Sequence, residues 1–521
     1  MIELLSVSVP FEYKDGDLAT IVAKELKIAT KDVKSVEIKK RSVDARKGLK
    51  YVMSFRAEVR DETAVKTSNT VRRISADSEY HLPTRMQGNS KKVIVVGAGP
   101  AGLFCALSLA HAGLNPVVVE RGKTVDERAR DVESFFAGAD LDSESNVQFG
   151  EGGAGTFSDG KLNTGVNDER IRFVLKTFVE CGADQDVVFD ALPHVGTDKL
   201  RTVVKNIRQR IVDLGGSFEF ETKLTDIKVA PNGRISAVAL EKGGQRLWRD
   251  VDVLVLAIGH SARDTYKMLD QRGVFMEPKA FSLGVRVEHL ACDINQALYH
   301  RPDVTAPYKL SHRLANGRGV YTFCMCPGGY VVNASSESGQ IAVNGMSNRA
   351  RDGENSNSAV LVSVGPDDFP VGALGGMELQ RQLEAKAYAV SGSYRAPAQT
   401  LADFVDGRKT LKFGKVKPTV RPEPVCADLN ALLPGYVAQG IKEGMVAFGR
   451  KVKGFDAKDT VLTGVETRSS APVRLVRTDG GESLFNPGIY PAGEGAGYAG
   501  GITSSAVDGL KVAEKILGIG K

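Results

Sequence analysis

Residues 92–122, KVIVVGAGPAGLFCALSLAHAGLNPVVVERG, constrain the fold more than any other stretch of this chain. An apolar run, a glycine-rich turn, a helix of small and apolar residues and a second apolar run follow one another, the order of a βαβ unit with parallel strands. Gly97, Gly99 and Gly102 have the G-x-G-x-x-G spacing. Gly97 permits the tight turn, Gly99 removes a side chain where a pyrophosphate approaches, and Gly102 lets helix and strand pack closely. Ala98, Pro100 and Ala101 complete the turn, and the helix start presents unpaired N–H groups and a positive dipole end to the phosphates. Glu120 stands about 20 positions on, at the end of the second strand, placed for ribose hydroxyls. Arg121 follows it.

The spacing alone is weak, because it recurs at Gly150/Gly152/Gly155 and Gly495/Gly497/Gly500. Only the first match follows a strand, opens a helix and reaches an acidic residue. The second runs into TFSDGKLN, which is not helical. The third precedes a helix but has no returning strand.

Around this unit the chain divides by pattern. Residues 1–85 read as a small β-α-β-β domain, with a strand near 2–9, a helix near 17–28 and strands near 33–41 and 50–59. Residues 75–92 read as a linker. Residues 90–281 hold the βαβ unit, a helix ending near Leu214, a strand over 217–229 and the run DVDVLVLAIG at 250–259. From 282 to 480 the text changes to short alternating runs with one helix near 376–390, an inserted α+β cap. Residues 481–521 return to the first pattern.

The segment GIYPAGEGAGYAGGITSSAVDGLKVAEKIL, residues 488–517, resembles the closing motif of FAD proteins of the glutathione-reductase type. The resemblance implies that Gly493 and Glu494 hold the ribityl chain, with Glu where that family most often has Asp. It also implies that Gly500, Gly501, Ile502 and Thr503 aim a helix start at the flavin C2 carbonyl and N1, where positive potential stabilises the negative charge of a reduced ring. Ala257, Ile258 and Gly259 resemble that family's A-T-G turn, and Leu224 lies where its adenine is contacted through the backbone. NVQFGEGGAGTFSDGKLNTG, residues 146–165, resembles the loop that succinate-dehydrogenase-like members lay on pyrophosphate and flavin, which makes Gly152, Gly153, Ala154, Gly155, Ser158 and Lys161 cofactor candidates; the competing reading is a flexible surface loop. QFGEGGAGTFSDGKL, FCMCPGGYVVNASSESGQIAVNGMS, LTGVETRSSAPVR and YPAGEGAGYAGGI together resemble the bacterial proteins described as uncharacterised NAD(FAD)-utilising dehydrogenases.

The implied fold is α/β, a Rossmann-like FAD-binding domain of the glutathione-reductase type with an inserted cap. The implied activity is a flavin-dependent oxidoreductase acting on an unidentified small molecule held between the FAD domain and the cap. FAD is the expected cofactor. NAD(P)H is expected only as a transient electron donor, since no second nucleotide unit occurs, and the substrate itself is the alternative donor. No metal-ligand spacing appears. A flavin carries the redox chemistry itself, so catalytic residues are not singled out. Pocket candidates are Arg468, Ser469, Ser470, Tyr498 and His260, each with a scaffold reading beside it, an ion pair for Arg468 and packing for Tyr498.

In GVYTFCMC, residues 319–326, strict alternation sets Tyr321, Phe323 and Met325 on one face and Thr322, Cys324 and Cys326 on the other. Alternate Cα atoms in an extended strand lie about 6.5–7 Å apart, at the limit of relaxed disulfide geometry. Packing, a wall of the substrate pocket and a redox dithiol remain the three readings of the cysteine pair.

Composition narrows the alternatives. The net charge of +6, from 69 basic and 63 acidic residues, predicts neither nucleic-acid nor membrane binding. Lys39, Lys40, Arg41, Arg46, Lys47 and Lys50 form a local basic patch, which leaves an enzyme acting on RNA as a second reading, but aromatic interleaving is absent and a solvated face is favoured. A non-catalytic flavin-binding regulator is a third reading. Without a leader or an 18-residue apolar run, and with six scattered cysteines, the expected location is the cytoplasm.

Overall fold

Val93–Val96, buried throughout, is the central strand of a five-stranded parallel sheet in the computed structural model, which describes residues 1–75, 79–84 and 91–519. The strands run in the order Ile489–Pro491, Val253–Leu256, Val93–Val96, Val117–Val119, Ser217–Glu219. A continuous apolar run suits a parallel strand covered on both faces. From the central strand the chain builds outward to one side and later to the other. Gly97 therefore stands at the switch of strand order, where open α/β sheets bind ligands at the strands' carboxyl ends.

Helices Pro100–His111 and Ile502–Leu517 share one apolar core with Val93 and Val95. Gly509 makes this packing possible, because a Cβ there would run into the Ala101 carbonyl. The chain's last described helix is thereby fixed against the helix that opens the first turn.

The single strand expected over 217–229 is two strands. Ser217–Glu219 completes the parallel sheet, and Lys223–Val229 joins the antiparallel sheet with Ile235–Lys242 and Gln245–Asp250. Glu221, at φ +54°, turns the chain between them. An alternating pattern carries no mark of which sheet each half joins.

A seven-stranded sheet spans Phe281–Leu290, Ser311–Arg313, Gly319–Cys326, Asn355–Val364, Pro397–Thr400, Val425–Cys426 and Val461–Glu466. One face is apolar and packs on helix Gly435–Gly449, where Gly440 and Gly444 let Val362 and Val320 come close. The other face carries Arg286, Glu288, Asn357 and Glu466, all buried. The hairpin Tyr330–Asn333/Val343–Met346 lies over that polar face, so that a Cβ on Gly345 would strike the Arg286 guanidinium.

Ile2–Pro10, Val33–Asp44, Lys50–Val59 and Val71–Arg73 form a separate antiparallel sheet, with helix Leu18–Leu26 in its core. The segment read as a linker, 75–92, falls partly outside the described residues. Among the described residues no helix is long and apolar enough to cross a membrane.

Candidate functional site

All three G-x-G-x-x-G segments come together at the carboxyl end of the central strand. The first turn meets the second at Gly99 and Gly153, where a Cβ on Gly153 would stand 3.1 Å from the Gly99 Cα, and Gly152 N–H donates to the Ala98 carbonyl at 2.8 Å. The first meets the third at Ala101 and Gly493, where an added Cβ would be 2.6 Å from the Ala101 Cβ. The second meets the third where Gly155 backs onto Ile502 and the Thr503 hydroxyl donates to the Leu162 carbonyl at 2.7 Å. The turn at 257–259 closes the group, with Ala257 N–H bonded to Val96 and Gly259 packed against Gly495. Gly97, at φ +105°, has no room for a side chain because the Ala257 carbonyl is in the way.

The middle segment is a buried, fastened loop rather than a flexible surface one. Arg128, fully buried, donates to five of its carbonyls: Asn146 at 2.8 Å, Val147 at 2.9 Å, Gly150 at 3.2 Å, Glu151 at 2.8 Å and Gly153 at 2.9 Å. Glu120 contributes from the other side. Its Oε1 accepts N–H groups of Gly122 and Gly150, both at 3.0 Å, and its Oε2 accepts that of Ala98 at 2.9 Å. The ribose candidate thus ties the first turn to the middle loop. Ala154 and Gly155 lie in the short 3-10 helix Ala154–Phe157, and the Ser158 hydroxyl bonds back to Gly155 at 2.6 Å.

The Arg121 side chain is held by two carboxylates. Its guanidinium bonds Glu144 at 2.6 Å and Asp264 at 2.9 and 3.0 Å, and lies 4.1 Å over the Phe149 ring. Leu224 is buried, with its strand partner at Leu240.

Glu494 keeps part of its surface open to the cleft, yet the crowding around it pushes its carboxyl up to about 7, against the pull of the Lys279 charge. Lys279 is lowered in turn by burial and by Arg474. Gly500 and Gly501 at the start of the closing helix are exposed, with no atom near an added Cβ. Tyr498 packs: Arg477 lies 3.7 Å over its ring, and its hydroxyl accepts the Arg477 N–H at 3.1 Å.

Arg468 is placed in a buried ion pair. Glu384, fully buried, bridges Arg468 (2.7 and 3.0 Å) and Arg263 (2.7 and 2.8 Å), which joins the cap-side helix Gly375–Ala389 to the segments after both 261 and 466. Ser469 donates to the Ser282 carbonyl at 2.5 Å, and Ser470 is half-buried. His260 borders this network, where burial and the charges of Arg468 and Arg263 push it down to about 3. It is neutral at ordinary pH, with one ring N–H and no imidazolium proton.

The cysteine strand breaks its alternation. The register shifts between Phe323 and Cys326, and Cys324 sits in the bulge at φ +40°. An extra residue flips every later side chain. Met325 therefore enters the apolar core, while Cys326 joins Tyr321 and Phe323 on the polar face. The Cys326 thiol lies 3.3 Å from the Arg286 guanidinium and donates to the Cys324 carbonyl at 3.2 Å. Cys324 is exposed. The Lys161 charge acts on both thiols, and Asp159 of the glycine-rich loop bonds Arg351 at 2.5 and 3.1 Å, which brings this loop beside the polar sheet face.

The basic N-terminal patch is partly spent. Arg41 bonds Asp190 at 2.7 and 3.0 Å and stacks on Phe189, and Arg46 pairs with Asp44 at 2.9 Å.

Sequence reasoning passed over Arg128, Glu384 and Arg286. Each is an ordinary charged residue in a helix or strand pattern whose partners are distant in the chain. The one available signal was their place on faces that the apolar periodicity assigns to the core.

Family comparisons agree with this geometry. A model described as FAD binding domain matches residues 92–142, one described as FAD-dependent protein, C-terminal domain-like, matches 280–469, and one for a domain of unknown function matches 1–60. An uncharacterized protein of Clostridium beijerinckii is 44% identical over 519 residues, covering 96% of each chain. Among solved structures, a geranylgeranyl bacteriochlorophyll reductase-like protein from Thermoplasma acidophilum aligns over 82% of this chain and 77% of its own at 10% identity and a TM-score of 0.35. A 3-ketosteroid-delta4-(5alpha)-dehydrogenase from Rhodococcus jostii aligns over 84% and 99% at 13% identity and a TM-score of 0.34. The chain belongs to the same family as the C. beijerinckii protein, a family of FAD-dependent proteins, and its cofactor is FAD.

Proposed function

We propose that the protein oxidises or reduces a small molecule held in the cleft between the three glycine-rich turns and the polar face of the seven-stranded sheet. The observation that carries this reading is the meeting of turns 97–102, 150–161 and 493–503 at the carboxyl end of the central strand. In this reading residues 90–281 and 481–521 form one FAD-binding unit of the glutathione-reductase type, 282–480 the cap and 1–85 a separate N-terminal unit. It also places the protein in the cytoplasm, where its six free thiols stay reduced.

The residues present fit FAD. A pyrophosphate belongs at the start of helix Pro100–His111, whose first N–H groups lack helical partners. Glu120 Oε2 accepts one bond and retains a lone pair for a ribose hydroxyl. Glu494 faces the cleft with its carboxyl near half-protonation at neutral pH, able to donate to or accept from a ribityl hydroxyl. The start of helix Ile502–Leu517, behind the exposed Gly500 and Gly501, offers N–H groups and a positive dipole end to the pyrimidine edge of the ring. Bound FAD supplies hydride acceptance or donation. The chain's part is to position the substrate, exclude water and fix the charge around the ring.

The electron donor in this reading is NADH or NADPH docking transiently over the flavin. Anaerobic addition of each to the purified holoprotein should bleach the oxidised flavin band. Absence of bleaching by both, in a sample whose flavin photoreduction still bleaches, removes the nicotinamide step and leaves the substrate as donor.

A further inference from the structure

The Lys161 ammonium has no hydrogen-bond partner although its Nζ is buried. Its nearest counter-charge is Asp159 at 3.7 Å, and that carboxylate already accepts from Arg351 at 2.5 and 3.1 Å and from Ser347. An ammonium brings three donors, and leaving them unmatched in a crowded site is unfavourable.

The position of Lys161 is fixed by backbone. It bridges His194, with Val195 N–H bonded to Gly160 at 3.0 Å and Leu162 N–H to Pro193 at 2.9 Å. Leu162 also receives the Thr503 hydroxyl, which sets Lys161 one residue from the start of the closing helix. The Lys161 charge acts on both Cys324 and Cys326.

The carboxylate nearest the Lys161 ammonium is thus bonded elsewhere, and a carboxylate brought by a bound molecule would supply the charge-assisted acceptors that the ammonium lacks. The FAD pyrophosphate is an unsuitable occupant, because the first turn meets this loop at Gly152 and Gly153, at the loop's opposite end.

We infer that Lys161 seats a carboxylate of the substrate, so that the molecule oxidised or reduced is a small organic acid whose charged end lies between the closing helix and Cys324. This inference rests on the flavin-enzyme reading above.

The test titrates FAD-loaded protein with acetate and benzoate and with their neutral amides, followed by the flavin difference spectrum and by calorimetry. The acids should bind and the amides should bind about tenfold more weakly or not at all, as a charge-assisted contact requires. Lys161→Met and Lys161→Gln should weaken the acids at least about tenfold without changing the amides or the FAD content, and Lys161→Arg should restore much of the loss. Equal binding of acids and amides, no binding of any acid in the millimolar range, or loss of FAD from both neutral variants with retention in Lys161→Arg overturns the inference. The underlying reading fails differently, through a preparation that takes up no FAD or holds flavin that photoreduction cannot bleach.

Discussion

Replacing Arg128 with leucine removes the side chain that fastens the middle glycine-rich loop. Five carbonyls lose their donor. At about 1 kcal/mol for each buried acceptor, the loss is about 5 kcal/mol if nothing relaxes. Water entry and loop rearrangement recover roughly half, leaving about 2–3 kcal/mol against the ordered loop. If FAD binds only the ordered loop, that difference appears in its affinity as a Kd increase of about 30- to 150-fold. The assay is a flavin fluorescence titration of the apoprotein, with a thermal melt beside it to separate loop order from global stability. Arg128→Lys, which keeps the charge but not the fork of donors, should fall between. A Kd for Arg128→Leu within about threefold of the wild type would refute the view that this loop must be held in shape to bind FAD.

Three further outcomes follow from buried charge and backbone. Glu384→Leu leaves Arg468 without a carboxylate partner and Arg263 with only Glu337 and should cost about 3–5 kcal/mol, read from the denaturant midpoint at unchanged slope; a loss under about 1 kcal/mol would mean the two arginines find other partners or water. Burial pushes Glu288 up to about 7, against the donors Thr419 and Asn355. A carboxyl raised in the folded state stabilises fully below its unfolded value near 4.5 and loses that contribution as pH rises through about 7, a loss of about 3 kcal/mol. The difference in stability between pH 5 and pH 8 should therefore shrink in Glu288→Gln, and an unchanged slope would remove Glu288 as its source. Cys324→Gly should stabilise by about 0.5–1 kcal/mol by relieving the left-handed backbone, whereas Cys326→Ala should destabilise through its contact with Arg286; the opposite order would place the bulge elsewhere.

The sequence made the βαβ unit legible because its signals are local: an apolar run, three spaced glycines, a helix start and an acid at the next strand's end. The closing motif was legible through resemblance, which also paired it with the first turn across most of the chain. The bulge at Cys324 was not, since GVYTFCMC alternates without fault and the extra residue is set by the partner strand Asn355–Val364. Arg121 is spent on Asp264 and Glu144, both distant in sequence. Arg468 and Arg128 look alike on the page, yet one pairs with Glu384 of helix Gly375–Ala389 and the other shapes a loop, because long-range partners decide what a buried arginine does. Elements and turns are written in neighbouring residues; the destinations of charged side chains are not.

The central claim is that three turns far apart in the chain build one FAD site. The direct measurement is the FAD content of Gly97→Val, Gly153→Val and Gly493→Val, each purified with free FAD present and compared by far-UV circular dichroism with the wild type. Each added side chain meets a neighbouring turn, at Ala257, Gly99 and Ala101 respectively. The account predicts that all three keep the fold and lose the flavin. One FAD per chain in Gly153→Val or Gly493→Val would contradict it and leave the first turn as the whole of the site.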